Sequence, residues 1–166
     1  MTALYNALKA QIQSKAQSIK YISIWNNQLD NLVDGKEHVF LTPAVLFEFV
    51  PSIPIGGIGN NVQIYERLNV RAHIVDFELD AKDGSMEKNV TIFDIKQEVY
   101  KALQLFKCDG SGIFDRQSEE PDYNHSNIYH YIQDYFTSWV DQDLPLPIGG
   151  IEVEPPFTTE ITPEID

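Results

Sequence analysis

Residues 127–140, which read NIYHYIQDYFTSWV, form the stretch that decides the fold. Apolar and aromatic side chains alternate along it, and this period of two is typical of a β-strand. One side would carry Ile128, His130, Ile132, Phe136 and Val140, and the other Tyr129, Tyr131, Tyr135 and Trp139. Neither side is polar enough to face water throughout. We therefore expect helices to cover one face of the sheet, and a second sheet or a neighbouring subunit to cover the other.

The sequence changes character directly after this strand. Residues 141–166 contain seven acidic residues, no lysine or arginine, and five of the nine prolines. Such a composition cannot bury enough apolar surface to form its own core. It predicts an extended arm that lies on another subunit. We therefore divide the chain into an α+β domain at 1–140 and an acidic, proline-rich arm at 141–166.

Two stretches upstream show helical spacing. Apolar residues at every third or fourth position across 4–19 predict an amphipathic helix of about four turns, with Thr2 as its N-cap. A second helical repeat covers 95–106. Thr91 and Asp94 form a start that resembles a capping box, and the turn at 109–112 is expected to end the helix.

Strand patterns fill much of the remaining domain. Short strands are predicted at 21–25, 44–50 and 113–117, and loops at 26–38 and 118–126. A long strand is predicted at 62–79, in which every second residue from Leu68 to Ile74 shares one face. The apolar residues change phase after Ile74, which predicts a bulge there. Together the elements predict an α+β sandwich, with two helices on one face of a mainly antiparallel sheet.

One pentapeptide occurs twice. Pro-Ile-Gly-Gly-Ile is found at 54–58 and again at 147–151. The repeat is either a chance similarity between two turn sequences, or it marks two loops that dock on a partner through exposed isoleucines.

Charge and composition exclude several classes of protein. The net charge is −13 over 166 residues, of which the arm carries −7 and the domain −6. This argues against tight nucleic-acid binding, although an acidic wall would leave DNA free to slide past. The single cysteine, Cys108, excludes an intramolecular disulfide and a cysteine-based zinc site. We find no secretory signal and no apolar span of about 20 residues, and we expect folding in a cytoplasm without membrane association.

Catalytic motifs are missing from the sequence. It contains no phosphate-binding glycine pattern and no Gly-x-Ser-x-Gly nucleophile motif. The best metal-like cluster is Asp122-Tyr123-Asn124-His125 followed by His130 and Asp134, since the last two share a strand face. His73 and Asp76 would point to opposite faces. We expect no enzyme activity, no cofactor and no metal. A small metal-dependent hydrolase that uses the cluster is the alternative from a different class, and a monomeric binding module is a third.

Three segments carry a family resemblance: Ile-Ser-Ile-Trp-Asn-Asn-Gln at 22–28, Thr-Pro-Ala-Val-Leu-Phe-Glu-Phe at 42–49, and Asn-His-Ser-Asn-Ile-Tyr at 124–129. Together with the helices, they make roughly residues 1–141 resemble bacteriophage minor tail proteins of the tail-terminator or tail-completion type. The resemblance implies an α+β subunit of a hexameric ring that caps the tail tube, ends its growth and docks the head connector without catalysis. Another head–tail neck or baseplate adaptor of the same fold is the alternative.

The resemblance also implies partners and a location. These are other copies of the chain, the tail tube protein and the head–tail connector, in a virion assembled in the host cytoplasm, with DNA only passing through the lumen. Arg67, Arg71 and Arg116 are predicted to meet the acidic arm of a neighbouring copy, and the first two share a strand face. The residues predicted to form the subunit and partner interface are Ile53, Ile55, Ile58, Arg67, Arg71, Tyr129, Tyr131, Trp139, Ile148, Ile151 and Phe157.

Overall fold

The computed structural model describes most of the predicted domain. It covers residues 1–29, 40–51, 55–57, 63–76, 91–124 and 128–141. Two helices and a mixed β-sheet lie within these ranges, so the predicted α+β class is confirmed. The predicted arm lies outside them apart from its first residue.

The two helices correspond to the two predicted ones, with different ends. They are α1, Thr2–Lys15, and α2, Thr91–Leu103. The prediction that Thr2 caps α1 is wrong, because Met1 holds the cap position without a side-chain hydrogen bond and Thr2 already belongs to the helix. α2 ends before the predicted turn at 109–112. Leu105 adopts a positive φ of 60°, and its N–H bonds to the carbonyl of Phe114 instead of continuing the helix.

The sheet contains strands of unequal length. They are β1, Tyr21–Ile24; β2, Ala44–Pro51; β3, Ile55–Gly57; β4, Gln63–Asp76; β5, Asp115–Pro121; and β6, Tyr129–Asp141. The order across the sheet is β1-β2-β4-β6-β5, and β3 pairs with β4 beyond the end of β2. The β1–β2 pair is parallel, and the other pairs are antiparallel.

Two strand predictions need correction. β5 was predicted at 113–117 with a polar loop after it, yet it begins at Asp115 and continues to Pro121. Most residues of β5 are exposed and polar. The sequence therefore lacks the alternation of apolar and polar residues that would have indicated a strand there. The bulge predicted after Ile74 is absent from the described part of β4, because its register with β6 runs unbroken from Leu68 to Asp76; the register shift lies between Tyr65 and Leu68. Residues 77–79, to which the predicted phase change extends, lie outside the described residues. Val75 is apolar because the second face of the sheet is covered at that point too.

Both helices pack on one face of the sheet, which we call the helix face. Its core joins apolar side chains of α1 and α2 to those of β2, β4 and β6. The aromatic side of β6 belongs to this face. Tyr135 and Trp139 are buried, while Tyr129 and Tyr131 are half-buried against the same core. The prediction that one side of β6 packs against helices is therefore confirmed.

An ion pair fastens α2 to the edge of the sheet. The Lys96 ammonium of α2 donates to the Glu119 carboxylate of β5. The same carboxylate accepts hydrogen bonds from Gln133 at 2.7 Å and Arg116 at 3.0 Å. Burial opposes ionisation of Glu119, but these donors and the charges of Lys96 and Arg116 outweigh it and lower its pKa.

Candidate functional site on the polar face and the sheet edges

The sheet face opposite the helices, which we call the polar face, carries a row of charged side chains. Glu48 of β2, Arg71 of β4 and Asp134 of β6 are direct neighbours in the strand register. Arg71 Nε donates to Asp134 Oδ1 at 2.9 Å, and Arg71 Nη1 lies 3.4 Å from Glu48 Oε2. Ser118 of β5 extends the row, because its hydroxyl donates to Asp134 Oδ2 at 2.8 Å.

The three arginines predicted to meet a neighbouring copy have partners within their own chain. Arg116 donates to Glu119 at 3.0 Å, and the other two, Arg67 and Arg71, lie on the polar face. Arg71 is held by Asp134 and Glu48, and 40% of its side chain stays exposed. The guanidinium of Arg67 lies 4.0 Å above the ring of Phe136, which is also on the polar face. Both arginines therefore share a face, as predicted, and Arg71 already has the carboxylate partners that the prediction sought in the arm.

A buried histidine pair adjoins the charged row. His73 and His130 are only 3% and 2% exposed, and His73 Nδ1 lies 2.9 Å from His130 Nε2. Each outer nitrogen faces a carboxylate. His73 Nε2 lies 3.2 Å from Glu48 Oε2, and His130 Nδ1 lies 3.1 Å from Asp122 Oδ2. We call the four residues Asp122, His130, His73 and Glu48, in this order, the histidine relay.

Trp25 covers the histidine relay. Its indole stacks on His73 with 4.1 Å between ring centroids and an interplanar angle of 3°, and it lies 5.5 Å from His130. Trp25 lies in the turn that follows β1. The side chain of Gln28 stabilises this turn, because its oxygen accepts from the Asn26 N–H at 2.8 Å and its amide donates to the Ile24 carbonyl at 2.6 Å. The indole therefore keeps water from one side of the histidine pair.

Apolar packing beside Trp25 explains why water is excluded from this end of the polar face. Leu29, Ala44, Leu46 and Val75 form a small second core, with Trp25 against it. Burial disfavours the charged form of His73. This effect and the nearby positive charge of Arg71 outweigh the attraction of Glu48 and Asp134, so the pKa of His73 lies below its ordinary value of 6.5.

The predicted metal-like cluster does not assemble as a metal site in the described part of the chain. His130 and Asp134 share the polar face, as predicted, but His130 contacts His73 while Asp134 contacts Arg71 and Ser118. No group of three or more histidine, cysteine, aspartate or glutamate side chains in the described ranges is arranged to hold a metal ion. Of the other predicted members, Asp122 lies beside His130, and His125 lies outside those ranges.

Sequence reasoning missed His73 as the partner of His130. The two histidines are 57 positions apart, and they meet because the register of β4 and β6 places them on neighbouring strands. The register between two strands cannot be read from the local sequence of either strand. The identity of His73 as a lone histidine among apolar residues was the one available signal, and it is equally typical of an isolated core histidine.

One free edge of the sheet is formed by β1, which pairs only with β2 within the described ranges. Side chains at this edge are apolar yet exposed: Tyr21 at 37%, Ile24 at 50% and the nearby Leu41 at 66%. Lys20 is exposed immediately before the strand. We call these four residues the β1 edge.

The opposite edge is formed by β5, which pairs only with β6 in the described part of the chain. Leu105, whose N–H bonds to the carbonyl of Phe114, and Ile113 both precede this strand and are 69% and 56% exposed. Asp115 and Glu120 are exposed along the strand itself. We call these four residues the β5 edge. The charges and Pro121 protect it from the addition of a further strand.

The remaining predicted interface residues fall into four groups. Trp139 is 5% exposed in this chain's own core, which leaves almost none of its side chain for a partner. Tyr129 and Tyr131 keep half-exposed rings, and the ammonium of Lys96 lies 4.0 Å above Tyr131. Ile55 lies in β3, where only the backbone is described. Outside the described residues lie Ile53, Ile58, Ile148, Ile151 and Phe157.

In a comparison with known proteins, no protein-family model matches the chain, and no curated protein matches it. Neither of the two described helices is long and apolar enough to cross a membrane.

Proposed function

We propose that the protein is a structural subunit of a bacteriophage tail, a tail terminator whose copies form a ring. In the family that residues 22–28, 42–49 and 124–129 resemble, the ring is hexameric. It would cap the tail tube, end its polymerisation and join it to the head connector. The same fold also suits another neck or baseplate adaptor, and labelling the protein within a virion would separate the two positions.

The observation that carries this proposal is that the sheet has two unlike edges, and both expose large apolar side chains. Isolated exposed apolar residues are ordinary, but Leu105 and Ile113 are both exposed near the beginning of β5, while Tyr21 and Ile24 are exposed at the other edge. A contact between two different surfaces of identical subunits is heterologous. Such a contact closes into a ring when the rotation between neighbours divides the circle.

The charges of the two edges are complementary. Lys20 stands beside the apolar residues of the β1 edge, and Asp115 and Glu120 stand along the β5 edge. Opposite charges at the rim of an apolar contact favour the correct orientation and speed association. We therefore place the β1 edge of one copy against the β5 edge of the next.

Disulfide cross-linking between copies tests this contact. In a Cys108→Ala background, Ile24→Cys and Ile113→Cys place one thiol at each edge. The three strands between β1 and β5 put the edges about 19 Å apart in one chain, well beyond disulfide reach. Oxidation should therefore give a ladder of covalent oligomers on a denaturing gel, and its last band counts the subunits of the ring. The ladder should appear with the tail tube protein present, even if free subunits are monomeric.

A matched control uses Ile24→Cys with Gln97→Cys, which moves the second thiol to an exposed position on α2. It should give scattered dimers at most. An equally long ladder in this control would show unspecific oxidation. If the edge pair stays monomeric both with and without the tube protein, the ring proposal is wrong.

A further inference from the structure

Two segments of the chain carry charges of only one sign, and the signs are opposite. Residues 1–29 contain three lysines and no acidic residue, whereas the acidic arm at 141–166 contains seven acidic residues and no lysine or arginine. An arm with negative charge alone is attracted to any surface that keeps uncompensated positive charge. The cations that lack a carboxylate partner therefore indicate where the arm can dock.

Helix α1 carries positive charge that the described residues leave uncompensated. Arg71, Lys96 and Arg116 form ion pairs within the chain. Lys9 and Lys15 of α1 form no ion pair with any described residue. No turn of α1 carries an acidic residue, and Lys15 is exposed while Lys9 is half-exposed. Both ammonium groups are therefore available to a partner.

α1 is also the helix that lies next to the β1 edge. The Tyr5 hydroxyl donates to the Ile22 carbonyl of β1 at 3.4 Å, and Lys9 follows Tyr5 by one helical turn on the same side. Lys15 follows Gln11 by one turn, and the Gln11 amide donates to the backbone of α2 at 2.8 Å. The two lysines thus lie on opposite flanks of the outer surface of α1.

The arm begins near the opposite edge of the sheet. β6 ends at Asp141, and the Val140 N–H donates to the Gly110 carbonyl at 2.8 Å, in a turn that lies on the β5 side of β6. α2 covers this side, because it is fastened to β5. To reach α1 of its own chain, the arm would have to pass α2, which carries Asp94 and Glu98. In the proposed ring, by contrast, the β5 edge meets the β1 edge of the next copy, and α1 of that copy borders the contact.

We propose that the acidic arm docks on the outer surface of α1 of the neighbouring copy, with its carboxylates against Lys9 and Lys15. The 25 residues from 142 to 166 can span about 75 Å when extended. Two strand spacings, about 10 Å, separate β6 from the β1 strand of the next copy, so the arm is long enough. The inference rests on the proposed ring, and it assigns the counter-charges of the arm to lysines of α1 instead of the arginines. Such exposed ion pairs mainly orient the partners and speed association.

Carbodiimide cross-linking of the full chain tests where the arm docks. The reagent joins a lysine amine to a nearby carboxylate as an amide, and it takes up the lost water by becoming a urea. Nitrogen-15-labelled and unlabelled proteins are mixed in equal amounts with the tail tube protein, and linked peptides are identified by mass spectrometry. We expect arm peptides linked to Lys9 and Lys15, and about half of these pairs should join a labelled to an unlabelled chain. Arm links to α1 within one chain only, or no arm links to α1 at all, overturn the proposal.

Matched lysine variants separate this proposal from the ring itself. In the protein with one cysteine at each edge, Lys9→Gln with Lys15→Gln should slow formation of the covalent ladder about threefold or more at low salt, because the arm loses its attraction to α1. Lys101→Gln with Lys107→Gln removes the same charge at exposed positions on and after α2, and should change the rate by less than about 1.5-fold. A ladder that forms equally fast in both pairs refutes the docking of the arm and leaves the ring intact. If no ladder forms even with all lysines present, the ring itself is wrong. If the first pair does not fold, the cross-linking experiment decides.

Discussion

The helix face and the polar face use the same strands in opposite ways. Phe47 is fully buried against the helices, and the next residue, Glu48, joins the charged row on the other side. Tyr135 and Asp134 on β6 repeat the division. The stability of the helix face comes from close packing of apolar side chains, which salt and pH hardly affect. The stability of the polar face comes from ion pairs and from one histidine pair, so it should respond to salt and to pH.

The largest expected effect lies on the helix face. Phe47→Ala removes a fully buried ring between the sheet and the helices, and we expect the free energy of unfolding to fall by about 3–5 kcal/mol. Val50→Ala on the half-buried polar side of the same strand should cost about 1 kcal/mol or less. Urea-induced unfolding followed by circular dichroism measures both. Equal losses would show that the two faces do not differ as described.

The next effect tests the charged row. Arg71→Met leaves Glu48 and Asp134 without their shared cation. Because Arg71 is 40% exposed, we expect a modest loss of stability, about 1–2 kcal/mol at low salt. Adding 1 M sodium chloride should narrow the difference between wild type and variant. Lys107→Met, which removes an equal charge at an exposed position, is the control. If the gap is the same at both salt concentrations, charge does not hold this row.

The pH response of His73 is smaller. Its pKa is lowered in the folded chain, so below pH 6.5 the unfolded chain binds the proton more tightly. The stability that His73 contributes is fully present above pH 6.5 and is lost as the pH falls below that value. We expect the free energy of unfolding of the wild type to fall by about 1 kcal/mol more than that of His73→Gln between pH 7 and pH 5. Parallel pH profiles from denaturant titrations would contradict this.

The smallest expected effect concerns the attachment of α2 to the sheet edge. Lys96→Met removes the ammonium that binds Glu119, and should lower stability by about 0.5–1 kcal/mol at neutral pH. The pKa of Glu119 is lowered, so its contribution is present above pH 4.5 and disappears as the pH falls below it. The difference between Lys96→Met and wild type should therefore shrink in acid. Lys101→Met, at an exposed position on the same helix, should have no such pH dependence.

Much of the helix face could be predicted because periodicity is a local signal. Helical spacing from Leu4 onward and the alternation along β6 both reflect burial against a common core. The same alternation led us to predict Trp139 as an interface residue, although its side chain is buried in this chain's own core. An aromatic strand is typical of an interface as well as of a core, and the sequence does not show that this chain's own turn at Gly110 and Ser111 packs beside that side chain.

The polar face was harder to predict, since its contacts join distant parts of the chain. Arg71 meets Asp134 and His73 meets His130 because β4 and β6 pair in one particular register. That register is set by the packing of the whole sheet. β5 was placed wrongly for a related reason: it is a strand because β6 provides hydrogen-bond partners, and its exposed polar residues give no pattern of their own.

The position of β6 within the sheet bears on how the protein is made. β6 lies between β4 and β5, yet the ribosome synthesises it after both of them. A nascent chain that ends before residue 129 cannot join β5 to the rest of the sheet, and its longest strand, β4, keeps one unpaired side. Pairing of distant segments is also intrinsically slow. A translation intermediate therefore lacks the β5 edge, and in the proposed ring only a chain whose β6 has been synthesised and inserted would be competent to join its neighbours.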